Sequence, residues 1–171
     1  GDWPGASAIL GAAAVVPGSE IRIGRLFQDE QGERECVPFY QRMGCEVRYE
    51  NEPQVGEVLM LRSPVGEPLR GAAINGDLCT DAVLAMMGVA MAAEGKSRFV
   101  QIRVLQFKEC DRVREPLEEL QKVYRGVLVS EEEGWTALAP EKALWFEPEE
   151  DPDTIHVNGA PQGFEGGIDV D

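Results

Sequence analysis

The order helix, strand, helix, strand, strand occurs twice along this chain, offset by roughly 80 residues, and that repetition limits the fold more than any other feature. Trp3 to Val16 reads as an alanine-rich helix, capped by Asp2 and ended by Pro17-Gly18. Glu20 to Ile23 alternates as a strand, and a helix over residues 34–43 ends at Gly44. Strands at Cys45–Glu50 and Glu57–Arg62 follow, joined by a turn around Asn51-Glu52-Pro53. The second half opens on a short strand, Leu69–Ile74, and Thr80/Asp81 then starts an alanine- and methionine-rich helix that Gly95 stops. Arg98–Ile102 is the next predicted strand, Glu109–Tyr124 an amphipathic helix that Pro116 should kink or restart, and Val127–Ser130 and Trp135–Leu138 the closing strands.

The first helix of each half (Ala6–Val16, Ala82–Ala93) is apolar nearly all round, so both should be buried on all sides. Small residues at Ala12, Ala13, Ala14, Ala90, Ala92 and Ala93 would let them pack closely. This predicts an α/β domain with helices at its centre and sheets outside, whose packing two units alone leave open. The division is a unit at 1–68, a unit at 69–140, and an acidic loop with a final strand at 141–171. Within that tail, Glu147–Asp153 reads as a loop, and Ile155-His156-Val157 and Ile168-Asp169-Val170 as short strands.

With 171 residues, 43% of them hydrophobic, the chain can build one sizeable core. No apolar run approaches the roughly 20 residues needed to span a bilayer, and a formal charge of −15 argues against a nucleic-acid partner. Four widely spaced cysteines and one histidine give no zinc-ligand pattern, so the thiols read as buried and reduced, as in a cytoplasmic protein. The charge is uneven. Lys96, Arg98, Arg103, Lys108, Arg112 and Arg114 form a basic island, whereas Trp145–Asp171 carries eight acids and no Lys or Arg. An anionic small molecule would be drawn to that island.

Within it, Lys108-Glu109-Cys110-Asp111-Arg112 places two cations and two acids side by side, after an apolar run and at a predicted helix start. Lys108 as a point charge and Arg112 as a two-pronged donor suit a phosphate or carboxylate. Glu109 between them can give or take a proton. Asp111 fits a structural role, orienting Arg112 or capping the helix. Asp81, at the tip of an apolar helix, would be held as an anion able to accept a substrate hydroxyl's hydrogen bond or its proton. The plainer readings are a solvated helix start for the cluster and a simple N-cap for Asp81. His156 lies in an acidic stretch and fits a surface role; the Met86-Met87-Met91 stripe is helix core.

The charged stretch resembles the Lys-Glu-x-Asp-Arg motif of the enolpyruvylshikimate-phosphate synthase family. Gly1-Asp2-Trp3-Pro4-Gly5-Ala6 is similar to that family's Gly-Asp-x-Ser-Ser-Ala segment, Met43-Gly44-Cys45-Glu46-Val47 to its helix exit, and Thr80-Asp81-Ala82 to its Pro-Asp-Ala. The likeness covers residues 1–130 well and the tail weakly. It implies two domains, each of three βαβαββ units in an inside-out barrel, with about two units of one domain present here. It also implies a carboxyvinyltransferase that moves the enolpyruvyl group of phosphoenolpyruvate to the 5-hydroxyl of shikimate 3-phosphate, without metal or organic cofactor.

By the resemblance, Asp81 binds the shikimate ring and is a candidate base. Lys108 and Glu109 flank the reacting centre, with Glu109 a proton carrier, and Arg112 holds phosphoenolpyruvate. Gln106, Val104 and Pro4-Gly5 depart from the family's usual basic residue, Asn and Ser-Ser. The expected partners are the two substrates and the rest of the same enzyme, with the isolated chain inactive and prone to self-associate. Two alternatives are a UDP-N-acetylglucosamine enolpyruvyl transferase relative and a non-catalytic module that keeps the fold.

Overall fold

The computed structural model describes residues 1–26, 28, 30–116 and 119, together with four later strands at 127–129, 135–137, 144–146 and 154–159. Helix α1 (Trp3–Ala14) starts where Asp2 accepts a hydrogen bond from the Gly5 amide. It ends where the hydroxyls of Ser19 and Ser63 donate to the carbonyls of Ala13 and Ala14, satisfying groups that a helix end leaves orphaned. Strand β1 (Glu20–Gly24), helix α2 (Cys36–Arg42, preceded by a 3₁₀ turn at Gly32–Glu35), β2 (Glu46–Glu52) and β3 (Gly56–Arg62) follow in the predicted order. The β2–β3 turn lies later than predicted, and Gly56 carries it at φ +84°. Strand β3 runs antiparallel to both β1 and β2 and lies between them, its residues Val58–Leu61 buried.

In the second half, β4 (Ala73–Asn75) and β5 (Gly95–Val100) pair in parallel, with helix α3 (Val83–Met91) crossing between them. Both strands are shifted from the sequence reading. The Leu69–Ile74 stretch contributes only a single bridge, Arg70 to Glu94, before β4 begins. Strand β5 starts at Gly95 itself, whose φ of +88° turns the chain straight into the sheet, and ends where Gln101 adopts φ +55°. Residues Arg103–Phe107, which follow the predicted strand at 98–102, form a 3₁₀ helix.

The strands expected to close this half, β6 (Val127–Val129) and β7 (Trp135–Ala137), pair with each other. The strand beside β5 is β9 (Thr154–Gly159), antiparallel to it, and β8 (Leu144–Phe146), which the sequence reading did not contain, lies beyond β9. The β5-β9-β8 arrangement therefore has the same neighbour order and sense as β1-β3-β2. The predicted loop at 147–153 and strand at 168–170 lie outside the described residues.

The core joins the two halves. Phe39 packs edge-on to Tyr40 and tilted against Phe99, each at 5.7 Å between ring centres. Trp3, Leu10, Met86, Met87 and Met91 are all buried, as expected of helix core. Helices α1 and α3 run side by side in the same direction, because Gly11 lies against Ala85 and Val89 while Ala14 and Val15 share a crevice with Ala92. A Cβ on Gly11 would come within 3.0 Å of the Tyr40 hydroxyl and 3.2 Å of Val89, so this approach needs the missing side chain.

Burial of these helices on all sides, the sequence expectation, does not hold. A groove of about 590 Å³, lined by Ala8, Gly11, Ala12 and Val15 of α1 and Ala85, Gly88, Val89 and Ala92 of α3, remains open. Ile9 and Val16 are more than half exposed. The apolar face is present; nothing among the described residues covers it. Three of the four thiols are buried as predicted, but Cys110 is exposed, because it lies in the bends at 108–110 and not on a helix.

Candidate functional site

Parallel pairing of β4 and β5 carries both chain segments out of the sheet at the same end. Strand β4 leads through the 3₁₀ turn Gly76–Leu78 to Thr80 and Asp81, and β5 leads through Gln101 and Arg103–Phe107 to Lys108. Carboxyl ends of adjacent parallel strands are a recurring place for ligand sites, since the loops there are free of the sheet's own pairing. The two segments touch: Asn75 donates to the Gln101 side-chain oxygen, and Gly76 lies tight against Ile102.

Asp81 is not a helix cap. The residue at the N-cap position of α3 is Ala82, with no side-chain capping bond, so the Asp81 carboxylate is left to act elsewhere. It accepts from Nη1 of Arg112, 31 positions along the chain. The Glu109 carboxylate takes the other edge of the same guanidinium, its Oε1 accepting from Nε at 3.0 Å and from Nη2 at 2.5 Å. Nη1 also donates to the Thr80 carbonyl at 3.4 Å. Asp81, Glu109 and Arg112, picked out on sequence grounds from two distant segments, therefore meet at one point.

Arg112 is held there by its neighbours. Leu105 and Val113 are buried on either side of the charged stretch, and the Arg112 amide donates to the Leu105 carbonyl at 3.1 Å. Asp111 caps the helix that follows, its Oδ1 accepting from the amides of Val113 and Arg114 at 2.9 Å each. That is the structural role expected of it. The expected helix start at Glu109 moves accordingly: 108–110 are bends, and helical residues begin at 114. Lys108 is exposed at the exit of the 3₁₀ helix. The contributions of the Thr80 and Leu105 carbonyls were invisible to the sequence reading, because backbone acceptors carry no side-chain signal.

The side chains of Arg112, Asp81 and Glu109 are 14%, 41% and 67% exposed, so the cation is sheltered beneath two reachable carboxylates. The Glu109 carboxyl lies below its ordinary range, first because its own backbone N–H stabilises the anion and next because Arg112 does. Hydrogen bonds from Arg112 to Asp81 and Glu109 push its proton affinity up further. Among the described residues no group of three or more His, Cys, Asp or Glu is placed to hold a metal ion.

The sequence profile of the family described as EPSP synthase (3-phosphoshikimate 1-carboxyvinyltransferase) matches residues 1–145. The chain belongs to the EPSP synthase family. It is 40% identical over 124 residues to the 3-phosphoshikimate 1-carboxyvinyltransferase of Deinococcus radiodurans, covering 72% of this chain and 26% of that protein. To the enzyme of the same name from Methanosarcina acetivorans it is 31% identical over 132 residues, covering 77% of this chain and 29% of the relative. Among solved structures it is similar to EPSP synthase from Acinetobacter baumannii, with a TM-score of 0.68 at 19% identity over 96% of this chain and 34% of the other. It also matches the enolpyruvyl transferase NikO from Streptomyces tendae, with a TM-score of 0.52 at 16% identity over 94% and 30%. The α/β fold of this EPSP synthase family member is thus that of the enolpyruvyl transferases. The chain spans about a quarter to a third of the length of these relatives.

Proposed function

We propose that this chain is part of an enzyme that transfers the enolpyruvyl group of phosphoenolpyruvate to the 5-hydroxyl of shikimate 3-phosphate. The observation that carries the reading is the convergence of Asp81, Glu109 and Arg112 at the carboxyl ends of β4 and β5, in a chain of this family. Arg112 supplies paired N–H donors to the carboxylate or phosphate of phosphoenolpyruvate, and Lys108 adds a mobile positive charge beside it. Asp81 orients the shikimate ring through its hydroxyls and takes the proton of the attacking one. Glu109 carries a proton at the reacting carbon. Fixing two anionic substrates between a base, a proton carrier and cations lowers the barrier by orientation and by stabilising charge as it develops. The parallel α1 and α3 add the positive ends of their dipoles at one end of the molecule.

The same reading accounts for the open groove. The chain holds about two of the three βαβαββ units of an inside-out barrel domain, and the groove between α1 and α3 is where a third central helix from the remainder of the enzyme packs. The units are 1–68 and a second that begins at 69. The β5-β9-β8 order, matching β1-β3-β2, supports ending the second unit at Gly159 instead of 140. Without its complement the chain is inactive, works in the cytoplasm only as part of the larger enzyme, and self-associates through the exposed apolar face.

The test is phosphate release by the full-length enzyme that contains this chain, supplied with both substrates. Asp81→Ala and Arg112→Ala should each lower kcat/KM at least about 100-fold, the usual scale for a proton-transfer group or a charge-stabilising donor. Unchanged turnover in Asp81→Ala would overturn the site. Activity on UDP-N-acetylglucosamine but not shikimate 3-phosphate would overturn the substrate.

A further inference from the structure

A guanidinium has five N–H donors, and in this chain nearly all of Arg112's are engaged. Nε and Nη2 point at Glu109, while Nη1 serves Asp81 and the Thr80 carbonyl. A carboxylate or phosphate gripped in two-point fashion needs two adjacent N–H groups. It can obtain them only by displacing a carboxylate already there.

The two carboxylates are not equally easy to displace. Asp81 has a short side chain in the turn that feeds α3, is the less exposed of the two, and shares its donor nitrogen with the Thr80 carbonyl. Glu109 sits in the run of bends at 108–110, has a longer side chain, and is two-thirds exposed, so water can receive its carboxylate when it leaves. It also covers the Nε–Nη2 edge, which presents two parallel donors to an incoming anion.

We propose that Glu109 is an intramolecular stand-in for the anionic ligand: the ligand binds Arg112 by displacing the Glu109 carboxylate from the Nε–Nη2 edge, and Asp81 stays in place. This rests on the reading of Arg112 as the anion-binding residue and deepens it. The exchange has a chemical consequence. Glu109 held by Arg112 is a poor proton acceptor; Glu109 released beside a bound anion, with Asp81 still near, holds a proton more readily. The described charged groups around it are Arg112, Asp81, and the adjacent Lys108 and Asp111. Of these, Arg112 is the one the ligand takes away. Ligand binding itself thus converts Glu109 from a structural ion-pair partner into a proton carrier.

The test is calorimetric titration of the full-length enzyme that contains this chain with phosphoenolpyruvate, comparing wild type, Glu109→Gln and Arg112→Ala, with circular dichroism to verify the fold and Glu109→Ala as the second variant should Gln misfold. Removing the competitor should tighten binding by about two- to fivefold, the range for an exposed ion pair. Arg112→Ala should abolish it. With sulfate, whose charge is constant across the range, wild-type affinity should rise more steeply than that of Glu109→Gln as pH falls from about 5.5 to about 4. If Glu109→Gln binds no better than wild type while Arg112→Ala abolishes binding, the exchange is wrong and the anion site stands. If Arg112→Ala binds as well as wild type, the anion sits elsewhere and both readings fall. Absence of binding by wild type and by both Glu109 variants also overturns the exchange.

Discussion

Replacing Ser97 by Ala tests how firmly the strand that leads to Asp81 is tied down. Ser97 lies on β5 and is fully buried, and its hydroxyl accepts the Ala72 amide at 3.1 Å, just before β4 begins. Alanine has nearly the same volume, so no cavity of consequence forms. The effect is the stranding of one buried N–H, which costs about 1–3 kcal/mol. For a urea dependence of about 2 kcal/mol per molar, the unfolding midpoint should fall by roughly 0.5–1.5 M with unchanged slope. Ser7→Ala is the control. The Ser7 hydroxyl donates to the Pro4 carbonyl at 2.7 Å within α1, and its removal strands no donor, so a loss under about 0.5 kcal/mol is expected. Because β4 feeds the turn that carries Asp81, Ser97→Ala should also speed amide exchange at residues 72–75. A midpoint shift no larger than the control's would refute the reasoning, since the Ala72 amide would then be satisfied without Ser97.

Two further outcomes follow from burial and charge. Burial pushes the thiols of Cys36 and Cys79 up to about 12 and that of Cys45 up to about 11, while Cys110 is exposed, so a disulfide reagent at pH 8 should modify one thiol quickly in the native chain and four after denaturation. More than one fast thiol would mean that the core around Cys36 and Cys79 is open. Glu20 is held below the ordinary glutamate range, chiefly by its hydrogen bond from Arg62. A lowered folded-state value means that its stabilisation is complete above the unfolded glutamate pKa of about 4.3 and is lost as pH falls through the folded value. Carbon-13 titration of the Glu20 carboxyl should show the low value, and Arg62→Ala should raise it.

Legibility in the sequence followed the range of the interactions. Helix α1 was readable because its cap, Asp2, and its stop, Pro17-Gly18, are adjacent in sequence, and the exit of α2 because Gly44 supplies the positive φ of +108° that ends it. The first sheet was readable because β2 and β3 are neighbours in sequence, β2 opening on alternating polarity and β3 carrying the unbroken apolar run Val58–Leu61. Three departures from local reading have a common origin. The plainer reading of Asp81 was a cap, yet the aspartate is drawn to an arginine 31 residues away. Gly95 looked like a stop, yet it opens β5. Trp135–Ala137 looked like the strand to close the second sheet, yet β9 takes that edge across a much longer connection. In each case local propensity was satisfied and a distant partner decided the outcome. The candidate site was foreseen as residue types because the charged stretch 108–112 could be read together with Asp81 and resembles a family motif. Its geometry was not, because carbonyls such as those of Thr80 and Leu105 leave no mark in a sequence.

Whether the proposed anion site can work in a chain of net charge −15 is a question of range. On the first sheet the cations are consumed locally: Arg22 bridges Glu50 and Glu52, Arg48 bridges Glu46 and Glu50, and Arg62 bridges Glu20. That face presents little free positive charge, and its acids largely cancel it. Acids farther off than about 8 Å are largely screened by salt at physiological ionic strength. What a small anion meets on arrival is set by contacts within a few ångströms. At the ends of β4 and β5 those are the sheltered guanidinium of Arg112 and the exposed ammonium of Lys108, opposed by Asp81 and Glu109. The overall acidity slows the approach of an anion, and the two carboxylates raise the threshold for holding one. A ligand therefore has to present two oxygens to the guanidinium at once, which favours planar carboxylates and phosphates over halides of the same charge.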